Sequence, residues 1–203
     1  MKLLDNLNQV VRLLSIGKMK DSIPIGFLGG LAGTIFMDLS NIMFKKMGLS
    51  EKTYAQYAGS VVMKPFRLFF GANKLLGQIL HLVTGSIIGI PLLAILKKTG
   101  KDNYLFKGAV FGTFTWELLY SFGLRYKVFR AEAHTTGTHF TTLIDNLIYG
   151  FVSSATMVFL ADDSVFPKSP VKRAENTLES EIIEVRDSSS ESTYEYQPEV
   201  RFH

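Results

Sequence analysis

The chain has 203 residues, 47% hydrophobic and 20% charged, with 16 Phe, 17 Gly and a formal net charge of +4. Its mean hydropathy of +0.18 exceeds what a soluble domain of this size needs for one core, and the surplus points to membrane helices. Cysteine is absent, which excludes disulfides, thiolate metal sites and cysteine nucleophiles.

The N-terminal stretch MKLLDNLNQVVRLL is interrupted by Asp5, Asn6, Asn8 and Gln9, so it lacks the unbroken apolar run of a cleavable signal peptide. Leu3, Leu7, Val10 and Leu14 recur at helical spacing and predict an amphipathic surface helix. Four apolar blocks follow, at 23–44, 75–96, 104–124 and 140–161, each near the ~20 residues that cross about 30 Å of hydrocarbon.

The first block opens on DSIPIGF, with Ser22 as the expected cap and Pro24 in the first turn, where a missing N–H costs nothing. In the loop after it, SEKTYAQYAGSVV puts Tyr54, Tyr57, Ala58, Val61 and Val62 on one helical face, and KPFRLFFGANK interleaves bases with Phe66, Phe69 and Phe70. That pattern predicts an interfacial helix, with a re-entrant element as the sharper alternative. The second block, LLGQILHLVTGSIIGIPLLAIL, has no Asp, Glu, Lys or Arg, and its Pro91 predicts a kink. The third and fourth blocks carry Glu117 and Asp145.

From Asp162 onward ten acids face five bases, a net −5 that leaves +9 on residues 1–161. The basic body suits anionic lipid headgroups, and residues 162–203 read as a disordered acidic tail in which EIIEV alone is apolar enough to order on a soluble partner. No nucleic-acid recognition motif is present, and the bases sit in short loops, so nucleic acid is not an expected partner. An even number of spans places both termini on one side with eleven bases against nine; the positive-inside rule then favours cytoplasmic termini.

Two stretches repeat a spacing. GGLAGTIFMDL matches KGAVFGTFTWEL, pairing Gly29 with Gly108, Gly33 with Gly112, Thr34 with Thr113 and Asp38 with Glu117. HLVTGSIIG matches NLIYGFVSS, pairing His81 with Asn146 and Gly85 with Gly150. Duplication of a two-helix unit would relate the halves by a pseudo-twofold along the membrane normal. Gly29/Gly33, Gly85/Gly89 and Gly108/Gly112 are expected to let helices approach closely within the bundle, a homo-oligomer contact being the other use.

Polar groups three or four positions apart give each block one polar face, which lipid would penalise. Turned inward, Asp38, His81, Glu117 and Asp145 become candidates for binding a proton or cation, with Gln78, Asn41, Asn146, His134 and His139 secondary. Three carboxylates and an imidazole suit a divalent metal such as Mn²⁺, Fe²⁺ or Zn²⁺. Motifs of zinc proteases, phosphate-binding loops and nucleophile elbows are missing, so no enzyme class is indicated.

GGLAGTIFMDL, GQILHLVTGSIIG, KGAVFGTFTWEL and DNLIYG together resemble the small four-span bacterial inner-membrane proteins grouped in families of unknown function, over residues 23–161. The resemblance implies a multi-pass cell-membrane protein and supplies no catalytic residue. The expected fold is all-α integral membrane: four transmembrane helices as two similar hairpins, with N-terminal and first-loop interfacial helices. Two functions fit: a membrane assembly or scaffold component with a structural polar interior, or a proton- or divalent-cation-binding or transport protein.

Overall fold

The computed structural model describes residues 18–64, 66–67, 70–129, 135–167 and 178–186, and every regular element among them is helical. The chain divides into two units, Met1–Pro167 and Lys168–His203.

Helix α1 spans Ser22–Lys46. Its cap lies one residue before the expected Ser22: the Asp21 carboxylate accepts the Ile23 N–H at 3.1 Å, leaving Ser22 and Pro24 inside the first turn. Helix α2, Tyr54–Val62, starts at a capping box in which the Gln56 side chain accepts the Thr53 N–H at 2.9 Å. Helix α3, Gly71–Thr99, continues through Pro91 and ends at Gly100, whose φ of 86° suits glycine. Helix α4, Tyr104–Thr115, runs into a π turn, Trp116–Ser121, and then the single turn α5, Phe122–Arg125. Helix α6, Thr136–Leu160, is capped by the Thr135 side chain.

Helices α1, α3 and α6 are each long and apolar enough to cross a membrane. The expected third span, 104–124, is helical throughout, but its α-helical hydrogen bonding is interrupted at the π turn, so three uninterrupted helices of spanning length are present among the described residues rather than four. Beside a buried apolar cluster that includes Ile25, Leu92, Leu96 and Met157, polar side chains are buried and large apolar ones exposed. Thr34, Asn41, Thr142, Asp145, Ser153 and Ser154 are buried, while Phe36, Leu39, Leu75, Ile87, Phe114 and Phe159 are exposed. That distribution suits lipid outside and hydrogen bonds inside.

The helices pack in the order α3, α1, α6, α4, with α1 and α6 central and little contact between α3 and α4. Neighbours run antiparallel: Gly26 lies against Ile90 and Gly30 against Gly85, whereas Gly29 meets Met157 and Gly33 meets Tyr149. Close approach is obligatory at two crossings. A Cβ on Gly85 would strike Thr34, and one on Gly108 or Gly150 would strike the other's backbone. The matched glycines are not used equivalently: Gly108 and Gly112 face their hairpin partner α6, but Gly29 and Gly33 also face α6, leaving Gly30 to meet Gly85 and Gly89. A twofold along the membrane normal would also make α3 and α4 pack as closely as α1 and α6. Instead α2 occupies that place, packing on α3 and reaching the π turn through Tyr57 and Tyr120, whose ring centroids are 5.5 Å apart.

At the opposite end the Met19 N–H donates to the Leu160 carbonyl at 2.8 Å and the Asp162 N–H to the Met19 carbonyl at 2.9 Å. Lys101 and Lys18 reach Asp163 at 2.8 and 3.6 Å. The entry to α1, the α3–α4 turn and the exit of α6 therefore share one end. Ala161 and Phe166 are buried there, so packing extends past the expected boundary at 161 to Pro167.

In the second unit, residues 178–186 form an exposed helix that contains EIIEV. The expected surface helix carrying Leu3 to Leu14, tail residues 168–177 and 187–203, and His134 lie outside the described residues.

Candidate functional site

Helical geometry brings three acids or imidazoles to a common depth. Asp38, His81 and Asp145 each lie about 12–15 Å along their helices from the end nearest α2, well inside a hydrocarbon layer of about 30 Å. In the fold, α1 carries Asp38, Ser40 and Asn41 past both neighbours, so its polar residues divide between α3 and α6.

Asp145 is fully buried on the α6 side. Its carboxylate accepts the Ser40 hydroxyl, the Asn41 amide at 3.2 Å and the Tyr54 hydroxyl at 3.2 Å. Three donors from α1 and α2 saturate a group that lipid could not solvate. Burial pushes the Tyr54 phenol well above its ordinary pKa, so it stays protonated and remains a donor. Asn41 also donates to Ser50 at 3.3 Å, tying the loop before α2 into the same network. Its own Oδ1 is buried without a partner among the described residues.

Asp38 lies on the α3 side. Its carboxylate accepts the Gln78 amide and pairs with His81 Nδ1 at 3.1 Å. Both members of the pair are mostly buried, with side chains 13% and 14% exposed. The Tyr54 ring stacks on the His81 imidazole, centroids 4.9 Å apart and 8° from parallel. One tyrosine thus touches both halves of the site, its face on the imidazole and its hydroxyl on Asp145.

Two cavities flank this arrangement. A polar one of about 370 Å³ is lined by Asp38, Asn41, Lys45, Gln56, Lys74 and Gln78. A larger, apolar cleft of about 590 Å³ lies between α3 and the π turn beside α2, with His81, Thr115 and Asn146 among its polar lining residues. Asp38 borders the first and His81 the second.

Other sequence candidates take different places. Glu117 is exposed and joins neither acid. Thr113, one α-helical turn earlier, is exposed too, so Glu117 continues an outward-facing row that begins before the π turn; the turn acts on the inward row, which runs Gly108, Phe111, Gly112, Thr115 and then, five residues on, Tyr120. Asn146 pairs with Thr115 at 3.3 Å and donates to the Thr142 carbonyl at 2.8 Å. His139 packs edge-on against Tyr120 at 5.7 Å. Among the described residues no three His, Asp or Glu side chains converge as metal ligands; the expected divalent ligand set is divided because Glu117 faces outward and Asp145 is occupied by donors.

Tyr54 and Ser40 are the members that spacing alone did not single out. Tyr54 shares an apolar face with Tyr57 and so reads as interfacial, while its hydroxyl finds a partner only because α2 packs back on α3 where that side chain reaches α6. Ser40 lies two residues from Asp38 and faces a different neighbour.

No curated protein and no solved structure is significantly similar to the chain. A family model matches residues 20–167, which hold every described helix of the first unit and every member of the cluster. The chain belongs to that family, described as a family of unknown function, DUF6789.

Proposed function

We propose that the chain is a four-span bacterial inner-membrane protein that takes up and releases a proton at the Asp38–His81 pair. The composite of α4, the π turn and α5 makes the fourth crossing, and the end holding Lys18, Lys101 and Asp163 faces the cytoplasm. One observation carries the reading: Asp38 and His81 touch at 3.1 Å while bordering different cavities. With Nδ1–H donating to Asp38, the pair has a net charge of −1, and a proton on Nε2 brings it to zero. Proton uptake there removes net charge from a low-dielectric site, which costs less than creating it. The charged and titratable neighbours are Lys45 and Lys74 in the Asp38 cavity, Tyr54 over the imidazole and Asp145 beyond it.

The scaffold reading is supported by a separate feature, the saturated Asp145 network between glycine-packed helices, which fixes geometry without exchanging anything. Imidazole NMR on the micelle-solubilised chain, with ¹³C-labelled histidine and an assignment from His81→Gln, distinguishes them. A His81 resonance that titrates between pH 5 and 8, and moves in Asp38→Asn, supports proton binding. A His81 resonance fixed across that range overturns it and leaves the scaffold reading.

A further inference from the structure

Proton binding uses only the His81 edge of the apolar cleft and leaves its volume and apolar lining unexplained. At about 590 Å³ it falls within the roughly 300–1,000 Å³ of small-molecule sites. Its lining includes Val62, Leu118, Leu119, Phe122 and Tyr126, all substantially exposed. The opening therefore belongs to the same apolar surface that faces lipid in a spanning arrangement, and an occupant can enter sideways from the bilayer.

The polar groups of the cleft are unequally committed. Thr115 and Asn146 bond to each other and to helix carbonyls, and the Tyr57 and Tyr120 hydroxyls, without a hydrogen-bond partner among the described residues, are fully buried behind the lining. His81 engages Asp38 through Nδ1 only, and Nε2 has no hydrogen-bond partner among the described residues. A neutral imidazole that donates through Nδ1 presents Nε2 as an acceptor. A purely hydrocarbon occupant would leave that nitrogen unpaired away from water. An anionic head would meet the Asp38 carboxylate behind the ring. A neutral donor satisfies both conditions.

We propose that this cleft binds a lipid-soluble alcohol or phenol, its hydroxyl donating to His81 Nε2 and its hydrocarbon lying among Val61, Leu80 and Leu119. The assignment rests on the Asp38–His81 geometry used above, but not on proton exchange. A protonated imidazole has no free acceptor, so Nε2 would then donate to the hydroxyl oxygen, a bond that an ether oxygen also accepts; selectivity for a hydroxyl over an ether belongs to the neutral imidazole.

The test is photolabelling of the full chain in detergent micelles with a diazirine-bearing long-chain alcohol, mapped by peptide mass spectrometry. Label is expected in residues 54–62 and 115–129, competed about tenfold better by 1-decanol than by decyl methyl ether, the ratio for one hydrogen bond worth about 1.4 kcal/mol. His81→Phe should keep the label and lose that preference. Ala58→Trp should fill the cleft and abolish the label, with melting temperature confirming the fold of both variants. Equal competition by the ether would show an acyl-chain slot only and overturn the proposal, as would label spread over the exposed faces of α1 and α3. Hydroxyl-selective label with a non-titrating His81 would overturn proton exchange while leaving the ligand site standing.

Discussion

The Tyr54 ring lies 8° from parallel on the imidazole of His81, with 4.9 Å between centroids. Because the same side chain donates to Asp145, the seat of α2 depends on two contacts that substitutions can separate. Tyr54→Phe keeps the stack and removes the donor, and is expected to cost about 1–3 kcal/mol, the range for disturbing a buried hydrogen bond. Tyr54→Leu loses both contacts and should be the less stable. Equilibrium unfolding of the two variants in micelles checks the order.

Asp145 is surrounded by donors that can re-aim. Hydroxyls of Ser40 and Tyr54 rotate, and the Asn41 amide can flip to present its unpartnered Oδ1. Asp145→Asn should therefore remain within about 1 kcal/mol of the native chain, since losing the desolvated charge offsets imperfect pairing. Asp145→Ala leaves three buried donors unpaired and should cost about 3 kcal/mol or more. Melting temperatures of the pair decide it.

Glycine substitutions should separate crossing points from open positions. Gly85→Ala and Gly150→Ala drive a Cβ into Thr34 or the Gly108 carbonyl, at an expected cost of about 1–3 kcal/mol each. Gly71→Ala meets nothing within 4 Å and should be neutral or slightly stabilising. Unfolding of the three variants side by side provides the comparison.

Glu117→Gln should change neither stability, beyond about 0.5 kcal/mol, nor the His81 resonance, because Glu117 is exposed outside the cluster. A His81 shift in this variant would mean that Glu117 is coupled to the site despite its outward face.

At the other end, the hydrogen bond from Lys101, and then the charges of Lys101 and Lys18, hold the Asp163 carboxyl below the usual carboxylate range. A depressed folded pKa contributes stability that is present above the unfolded value near about 4 and is lost as pH falls through the folded value. Asp163→Asn should therefore lower the melting temperature slightly above about pH 4 and match the native chain once Asp163 is protonated, which gives a flatter acid side; the effect is small because the group is fully exposed.

Composition and periodicity alone determined that the chain is helical, that its long elements are apolar enough for a bilayer, and that small and polar residues share helix faces. Those properties follow from bilayer thickness and the cost of unpaired polar groups, which act on each segment separately. The residue spacing also singled out Asp38, His81, Gln78, Asn41 and Asp145, since a polar group in an apolar helix must turn toward protein. Which neighbour each one meets was decided by tertiary packing. The return of α2 onto α3 and the π turn sets Tyr54 between His81 and Asp145, a relationship between residues 27 and 91 positions apart. Packing also decided that the row of Thr113 and Glu117 faces outward, although the matching Thr34 is buried. Local spacing tells which residues share a face and not which face meets a neighbour, so the repeated motif placed Glu117 inside although the row it shares with Thr113 faces outward.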